Sequence, residues 1–512
     1  MLSELRSRPR LAGLLVLLLL GALMLATDPW FSVIDDEVAM LASVQGSMGT
    51  LIDKSLGGER PHAHPPLHDL LVKVWLRVSG APPDLLRLPA VALYLAGLWF
   101  CARAAERLAG AAGWWTGLLA GFFWPHGFHL GRLQGWYVLS FFFAAWLTFE
   151  FLSSLDEPGR GAWVRMFLAG CGLIYTNYFG WAMIGLLAVL YFWETRQDRR
   201  YWRAAAATLL AWFVVFSPML PPLLLQLGTE HFIQGGWSGR LAYGAYNAYA
   251  LLAGESVAPW FLPLGVPMAA ALALVYALSW LESPSRGRFL FLGAFVLVGV
   301  MTVLGIVATK RILTEGPWML VPLAAAMAGP PGHWRRSFLQ ASWAAVILCA
   351  VTGGFLRDYY AAPRWVEPWR EIAQREVAEI QNGTLLIASH PALSYYLTYE
   401  LRLPANPGTW RFAGLVPIDI PHPQFFEPQE WQKAGRPLRP RIQFIRSASR
   451  EEVKPYAREA EAWLRRSCEL RDTERHVPDA GFAWKQHLFP GSGQLAWRVE
   501  ILDFSCDIAP HT

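Results

Sequence analysis

Three consecutive acids, Asp35-Asp36-Glu37, follow the first apolar run of the chain, and His62, His64 and His68 come about 25 residues later. A carboxylate partly shielded by apolar surface has the setting of a general base toward a hydroxyl, or of a ligand for a cation. The competing reading is a cap, because acids favour a helix N-terminus. In an extended stretch His62 and His64 point to one side, as metal ligands do, but no thiol or fixed third ligand accompanies them. Hydrogen bonding to a substrate is therefore preferred for His62, His64 and His68. Arg132 and the pair Lys310-Arg311 stand at the ends of apolar spans. Basic residues there usually reach for the membrane interface, and they are also what a departing phosphate requires.

These groups must be positioned by a chain that is 54% hydrophobic and only 16% charged over 512 residues. That composition excludes an ordinary soluble enzyme. A net charge of +5 gives no basis for nucleic-acid binding, and no phosphate loop or dinucleotide-binding glycine fingerprint occurs. The apolar runs are about eleven, near 11–27, 85–105, 113–130, 133–153, 164–177, 179–194, 203–225, 259–281, 288–308, 312–329 and 338–356. The first is read as a retained anchor, since no small-residue cleavage site follows its leucine-rich core. Many of the 26 tryptophans lie near the ends of these runs, where they anchor at the interface. Arg103, Arg107, Arg160, Arg165, Arg286, Arg288, Arg335 and Arg336 fall in alternate loops, which orients the N-terminus to the cytoplasm. The acids, the histidines and the C-terminal region are then extracytoplasmic.

The first outer loop, 28–84, shows helical spacing of apolar residues over Val38 to Val44 and again from Leu67 to Val78, predicting two amphipathic surface helices. Pro65 and Pro66 would open the second. Beyond residue 357 strands alternate with helices, predicting a soluble α/β domain over 357–512 after a membrane domain over 1–356. Its strands are read at 384–388, 441–445 and 496–504, and its helices at 369–380, 392–400 and 451–466. Cys468 and Cys506 fall in this region and would pair in an oxidising compartment.

An Asp-Glu pair soon after the first span, then His64-Pro65-Pro66-Leu67 in a long outer loop, resembles the GT-C glycosyltransferases. The branch in question holds bacterial relatives of the protein O-mannosyltransferases and of the lipid A aminoarabinose transferase. Arg87-Leu88-Pro89, Tyr137 near the start of its span, Tyr175-Thr176-Asn177-Tyr178-Phe179-Gly180, and Arg311 followed by Pro317 and Pro322 are similar to further elements of that family. The chain departs from the pattern where Asn177 replaces a histidine and where no tyrosine follows Arg311.

The resemblance implies a GT-C fold and transfer of a hexosyl or pentosyl group from a polyprenyl-phosphate-linked donor to a lipid, polysaccharide or protein acceptor. It implies inversion by single displacement, with Asp36 as base beside Glu37. Asp35, His62, His64, His68, Arg132, Tyr137, Asn177, Tyr178, Lys310 and Arg311 would then bind substrate. No cofactor is firmly implied; a divalent metal would have only His62 and His64 to hold it. The rival reading is a transporter or flippase of a lipid-linked precursor. Against it, no internal repeat is found, and the charges lie at the outer rim instead of the bilayer midplane.

Overall fold

The structure, a computed structural model, describes residues 9–27, 37, 40–41, 44, 47–56, 64–80, 82–196, 200–228, 236–257, 259, 261–304, 309–329, 333–356, 367–388, 391–400, 416–418, 441–447, 455–477 and 499–506. The chain forms two compact units. One comprises Met1–Asp28, Ser47–Val72 and Arg87–Leu356, the other Pro29–Gly46, Lys73–Leu86 and Arg357–Thr512. The break after Leu356 falls where the composition changes, and the second unit also takes in two stretches of the first loop.

The described helices of the chain up to Leu356 are α1 (Pro9–Thr27), α2 (Met48–Ser55), α3 (Leu67–Ser79), α4 (Leu88–Phe122), α5 (Pro125–Leu130), α6 (Trp136–Asp156), α7 (Arg160–Ile174), α8 (Gly180–Glu194), α9 (Arg200–Phe216), α10 (Leu220–Gly228), α11 (Gly236–Ala253), α12 (Leu262–Glu282), α13 (Ser285–Val303), α14 (Gly316–Met327) and α15 (Trp334–Leu356). Among the described residues, seven helical segments are long and apolar enough to cross a membrane, so this is a multi-pass membrane protein.

One of those seven, Pro83–Phe122, doubles back. Helical geometry breaks at Ala109 and at Gly110, whose φ of 66° is open to glycine at no steric penalty. Beyond the break, Gly113, Gly117 and Gly121 face the first arm. A Cβ on them would come within 2.3 Å of the Ala105 carbonyl oxygen, 2.8 Å of the Ala102 Cα and 2.6 Å of Leu98, in that order. Partners that fall in number as the glycines rise define an antiparallel hairpin, closed at backbone distance by small residues. Beside these seven, α8 is a shorter apolar helix among the described residues.

Arg286, in the first turn of α13, pairs with Asp156 at 2.6 Å and Glu194 at 3.1 Å, the last residues of α6 and α8. Arg107 reaches Glu157 at 3.1 Å and Arg335 reaches Glu282 at 3.2 Å. These contacts gather at one end of the bundle Arg107, Arg286 and Arg335, three of the arginines that the sequence pattern places on the inner face. The start of α6 lies about 30 Å away by its helical rise, at the opposite end. Between the ends, all twelve residues of α14 are buried, as a helix apolar on every side must be. Its Trp318 donates from Nε1 to Thr148 Oγ1 at 2.9 Å, and Thr116 Oγ1 donates to the Ala324 carbonyl at 2.7 Å.

The second unit contains α16 (Trp369–Gln381), α17 (Pro391–Glu400) and α18 (Pro455–Ser467), with β1 (Leu385–Ala388), β2 (Val416–Ile418), β3 (Arg441–Ser447), β4 (Glu469–His476) and β5 (Val499–Ser505). The sheet order is β2-β1-β3-β5-β4, parallel only between β1 and β3. Ile387, Ile442, Phe444, Leu502 and Phe504 pack with Trp463 and Leu464 of α18 into its core. β4 and β5 pair from Glu469 opposite Ser505, which sets Cys468 opposite Cys506, and these two are joined by a disulfide. Glu37, Met40, Leu41 and Val44 are buried at the i, i+3, i+4, i+7 spacing expected of the first loop helix. Asp35, Asp36 and the rest of that segment lie outside the described residues.

Candidate functional site

The end of the membrane unit opposite Arg286 collects the termini of α1, α6 and α13 and the turns that join α5 to α6 and α7 to α8. Arg132 sits in the turn before α6 with no solvent exposure. Its Nη1 donates to Oγ1 of Thr27, the last residue of α1, at 2.8 Å, and its guanidinium lies 5.3 Å from the Phe128 ring centroid. A guanidinium is never neutral in a protein, so a buried one must be met by acceptors and by π density. Gly131 makes the placement possible, since a Cβ there would lie 2.5 Å from the Tyr94 ring. Tyr137 is buried in the first turn of α6, edge-on to Trp136.

The N-terminus of α3 is fastened to the same end. Leu67 N donates to the Tyr175 carbonyl at 3.1 Å. The His64 ring lies 4.2 Å from that of Trp136, inclined by 30°. His68 is buried, with Nδ1 3.4 Å from Asp69 Oδ1 and Nε2 3.4 Å from Gln134 Nε2. That geometry suits the tautomer with the proton on Nδ1 and a lone pair facing the Gln134 amide, the carboxylate orienting the ring. His68 therefore works as a strut between α3 and the Arg132 turn, with both ring nitrogens engaged.

Asn177 is buried in the turn between α7 and α8, where its Oδ1 accepts from Phe179 N at 3.0 Å. This is an Asx turn. The Nδ2 group is buried and has no hydrogen-bond partner among the described residues. Tyr178 is half-buried, its ring edge-on to Phe216 at 6.1 Å. Lys310 and Arg311 are half-buried beyond the end of α13 and begin the 3-10 turn Arg311–Glu315. Because α13 runs from the Arg286 end, these two cations belong to the same end as Arg132.

Of the expected site residues, His64, His68, Arg132, Tyr137, Asn177, Tyr178, Lys310 and Arg311 are all found at this end of the membrane unit. Glu37 belongs to the second unit, and Asp35, Asp36 and His62 lie outside the described residues. Among the described residues no group of three His, Cys, Asp or Glu side chains has the spacing of a metal site. Sequence reading passed over Thr27, Gln134, Trp136 and Asp69. Only the nearness of Gln134 and Trp136 to Arg132 hinted at them. Glu315, close in sequence to Lys310 and Arg311, is fully buried, its carboxylate without a hydrogen-bond partner among the described residues.

No protein-family model matches the sequence, and no curated protein matches it. Solved structures do. The crystal structure of ArnT from Cupriavidus metallidurans bound to undecaprenyl phosphate superposes with a TM-score of 0.51 at 14% identity, covering 95% of this chain and 97% of that one. The same protein in its apo state gives 0.52 with the same identity and coverage. The chain thus has the GT-C fold of ArnT along nearly its whole length.

Proposed function

We propose that this protein is an inverting membrane glycosyltransferase that moves a sugar from a polyprenyl-phosphate-linked donor to an acceptor hydroxyl on the extracytoplasmic side. The observation that carries this reading is the gathering of Arg132, Lys310 and Arg311 at the end of the membrane unit opposite the arginine-rich one. Cations held there suit a lipid phosphate at the outer interface, with its hydrocarbon chain among the helices. The likeness of fold to an ArnT crystallised with undecaprenyl phosphate supports the same class of donor.

In this reaction the acceptor oxygen attacks the anomeric carbon from the face opposite the phosphate. The bond from that carbon to the phosphate oxygen breaks, and the electron pair leaves on the phosphate, whose growing charge the three cations stabilise. The acceptor proton passes to a carboxylate. We assign it to Asp36, with Glu37 beside it, on the resemblance of this pair to the family motif. Tyr178 is assigned to the donor on the same ground, and Asn177, which stands where the family has a histidine, is assigned to it through its unpartnered Nδ2. The acceptor is a lipid, a polysaccharide or a protein, and nucleic acid is not among the partners.

The test is Asp36→Asn in the purified protein, supplied with a polyprenyl-phospho-sugar. Loss of a positioned base lowers turnover by about 10²–10⁴-fold. Transfer within a few-fold of the unsubstituted protein would remove Asp36 from the mechanism.

A further inference from the structure

In the first loop, Glu37, Met40 and Leu41 are helical and buried, and Val44 N closes a helical hydrogen bond to the Met40 carbonyl at 3.0 Å. Val44 itself lies in a turn, and Ser47 already caps α2, so this helical segment ends close to Val44. Carbonyls in the last turn of a helix have no intrahelical N–H to meet them. The Val44 carbonyl is met from elsewhere. Lys73 Nζ, on α3 and 29 residues away in sequence, donates to it at 2.7 Å. Both partners belong to the second unit, which takes in Pro29–Gly46 and Lys73–Leu86.

A lysine on an amphipathic helix usually turns its ammonium to water. Lys73 is half-buried instead, and its charge meets the negative end of a helical segment, where a cation is favoured. The stretch that carries it is braced within the same unit. Trp75 Nε1, two residues on, donates to the Leu85 carbonyl at 2.8 Å, and Asp84 pairs at 2.8 Å with Arg370 in the first turn of α16. These contacts link the C-terminal part of the chain to the segment that carries Glu37.

We propose that Lys73 is a positioning residue for the acid pair. By holding the C-terminal end of the helical segment that carries Glu37, it fixes the backbone from which the carboxylates act, and it gives the second unit a part in the reaction. The inference rests on the assignment of Asp36, the neighbour of Glu37 in sequence, as the base.

The full chain, in proteoliposomes holding a labelled polyprenyl-phospho-sugar with an envelope extract as acceptor source, would be compared with Lys73→Met and Lys73→Arg. Turnover at saturating donor should fall about 10²-fold in Lys73→Met, the loss expected when a reacting group is displaced by about 1 Å. The donor concentration giving half of that turnover should stay unchanged, because Arg132, Lys310 and Arg311 are untouched. Lys73→Arg, which keeps a charged donor, should restore most of the turnover. Hydrogen–deuterium exchange read by mass spectrometry should quicken over residues 37–44 in Lys73→Met and not over α2. Unchanged turnover in Lys73→Met beside an inactive Asp36→Asn would overturn the proposal and leave the base assigned. Full activity in both variants would overturn the base assignment and this proposal with it. Unaltered exchange over residues 37–44 would overturn the role of Lys73 whatever the turnover.

Discussion

Arg132 and Thr27 meet at 2.8 Å across 105 residues of chain, tying the turn before α6 to the last residue of α1. The contact uses one of five guanidinium N–H groups to fix the plane of the rest. It makes the buried cation a positioned group with a defined orientation, which a phosphate clamp requires and an interface-seeking arginine does not.

Thr27→Val keeps the side chain's shape and removes the acceptor. Thr27 is buried, so stability should fall by about 1 kcal/mol and KM for the donor should rise. Arg132→Ala should lower kcat/KM by about 10²-fold or more. Steady-state kinetics with the lipid-linked donor, beside thermal unfolding, separate the two effects.

His68 and Gln134 should behave as a coupled pair. His68→Leu and Gln134→Leu each leave a buried polar partner unmatched, whereas the double variant removes both. The double should be more stable than the sum of the singles predicts, by about 1 kcal/mol. Additive changes in unfolding free energy would show that His68 is not the strut described.

The disulfide closes a loop with a sequence separation of 38 residues. Restricting the unfolded chain to that extent is worth about 3–4 kcal/mol. Reduction, or Cys468→Ser with Cys506→Ser, should lower the unfolding temperature of the second unit and leave that of the membrane unit in place. Differential scanning calorimetry reads both transitions.

Burial pushes the carboxyl of Glu376 above its ordinary range, against the hydrogen bond from Arg375 at 2.9 Å that lowers it. A carboxyl raised in the folded state favours folding when protonated. That contribution is fully present below the unfolded value of about 4.3 and is lost as pH rises through the folded value. Glu376→Gln should therefore stabilise the second unit at neutral pH, with the gain shrinking toward pH 4. Denaturant unfolding across that range, compared with the unsubstituted chain, measures it.

The passes of the membrane unit were legible because each is an apolar run, and apolarity alone reports burial in lipid. Pro65-Pro66 marked the start of α3 because proline's fixed φ suits a first helical turn. The helices of the second unit and its strands β1, β3 and β5 were legible for the same kind of reason. β4 was missed. Its sequence, Glu-Leu-Arg-Asp-Thr-Glu-Arg-His, has no apolar alternation, because it is an edge strand exposed on both faces. α2 was missed too, its helical signal resting on the Ser47 cap and a single fully buried leucine, Leu51. At the site, charge made Arg132 and Lys310-Arg311 visible. Thr27 and Gln134 were not, since a hydroxyl and an amide gain meaning only from what the fold sets opposite them. Asn177 could be placed from sequence, but the Asx turn that occupies its Oδ1 could not.

The central claim is transfer of a sugar from a polyprenyl phosphate. Its most direct measurement uses the purified protein in proteoliposomes holding a radiolabelled polyprenyl-phospho-sugar and an envelope extract as acceptor source. Label should move into acceptor with stoichiometric release of free polyprenyl phosphate, the new bond should carry the anomeric configuration opposite to that of the donor, and Arg311→Ala should slow the release. Donor that crosses the bilayer intact, with no polyprenyl phosphate set free, would contradict the account and favour a flippase.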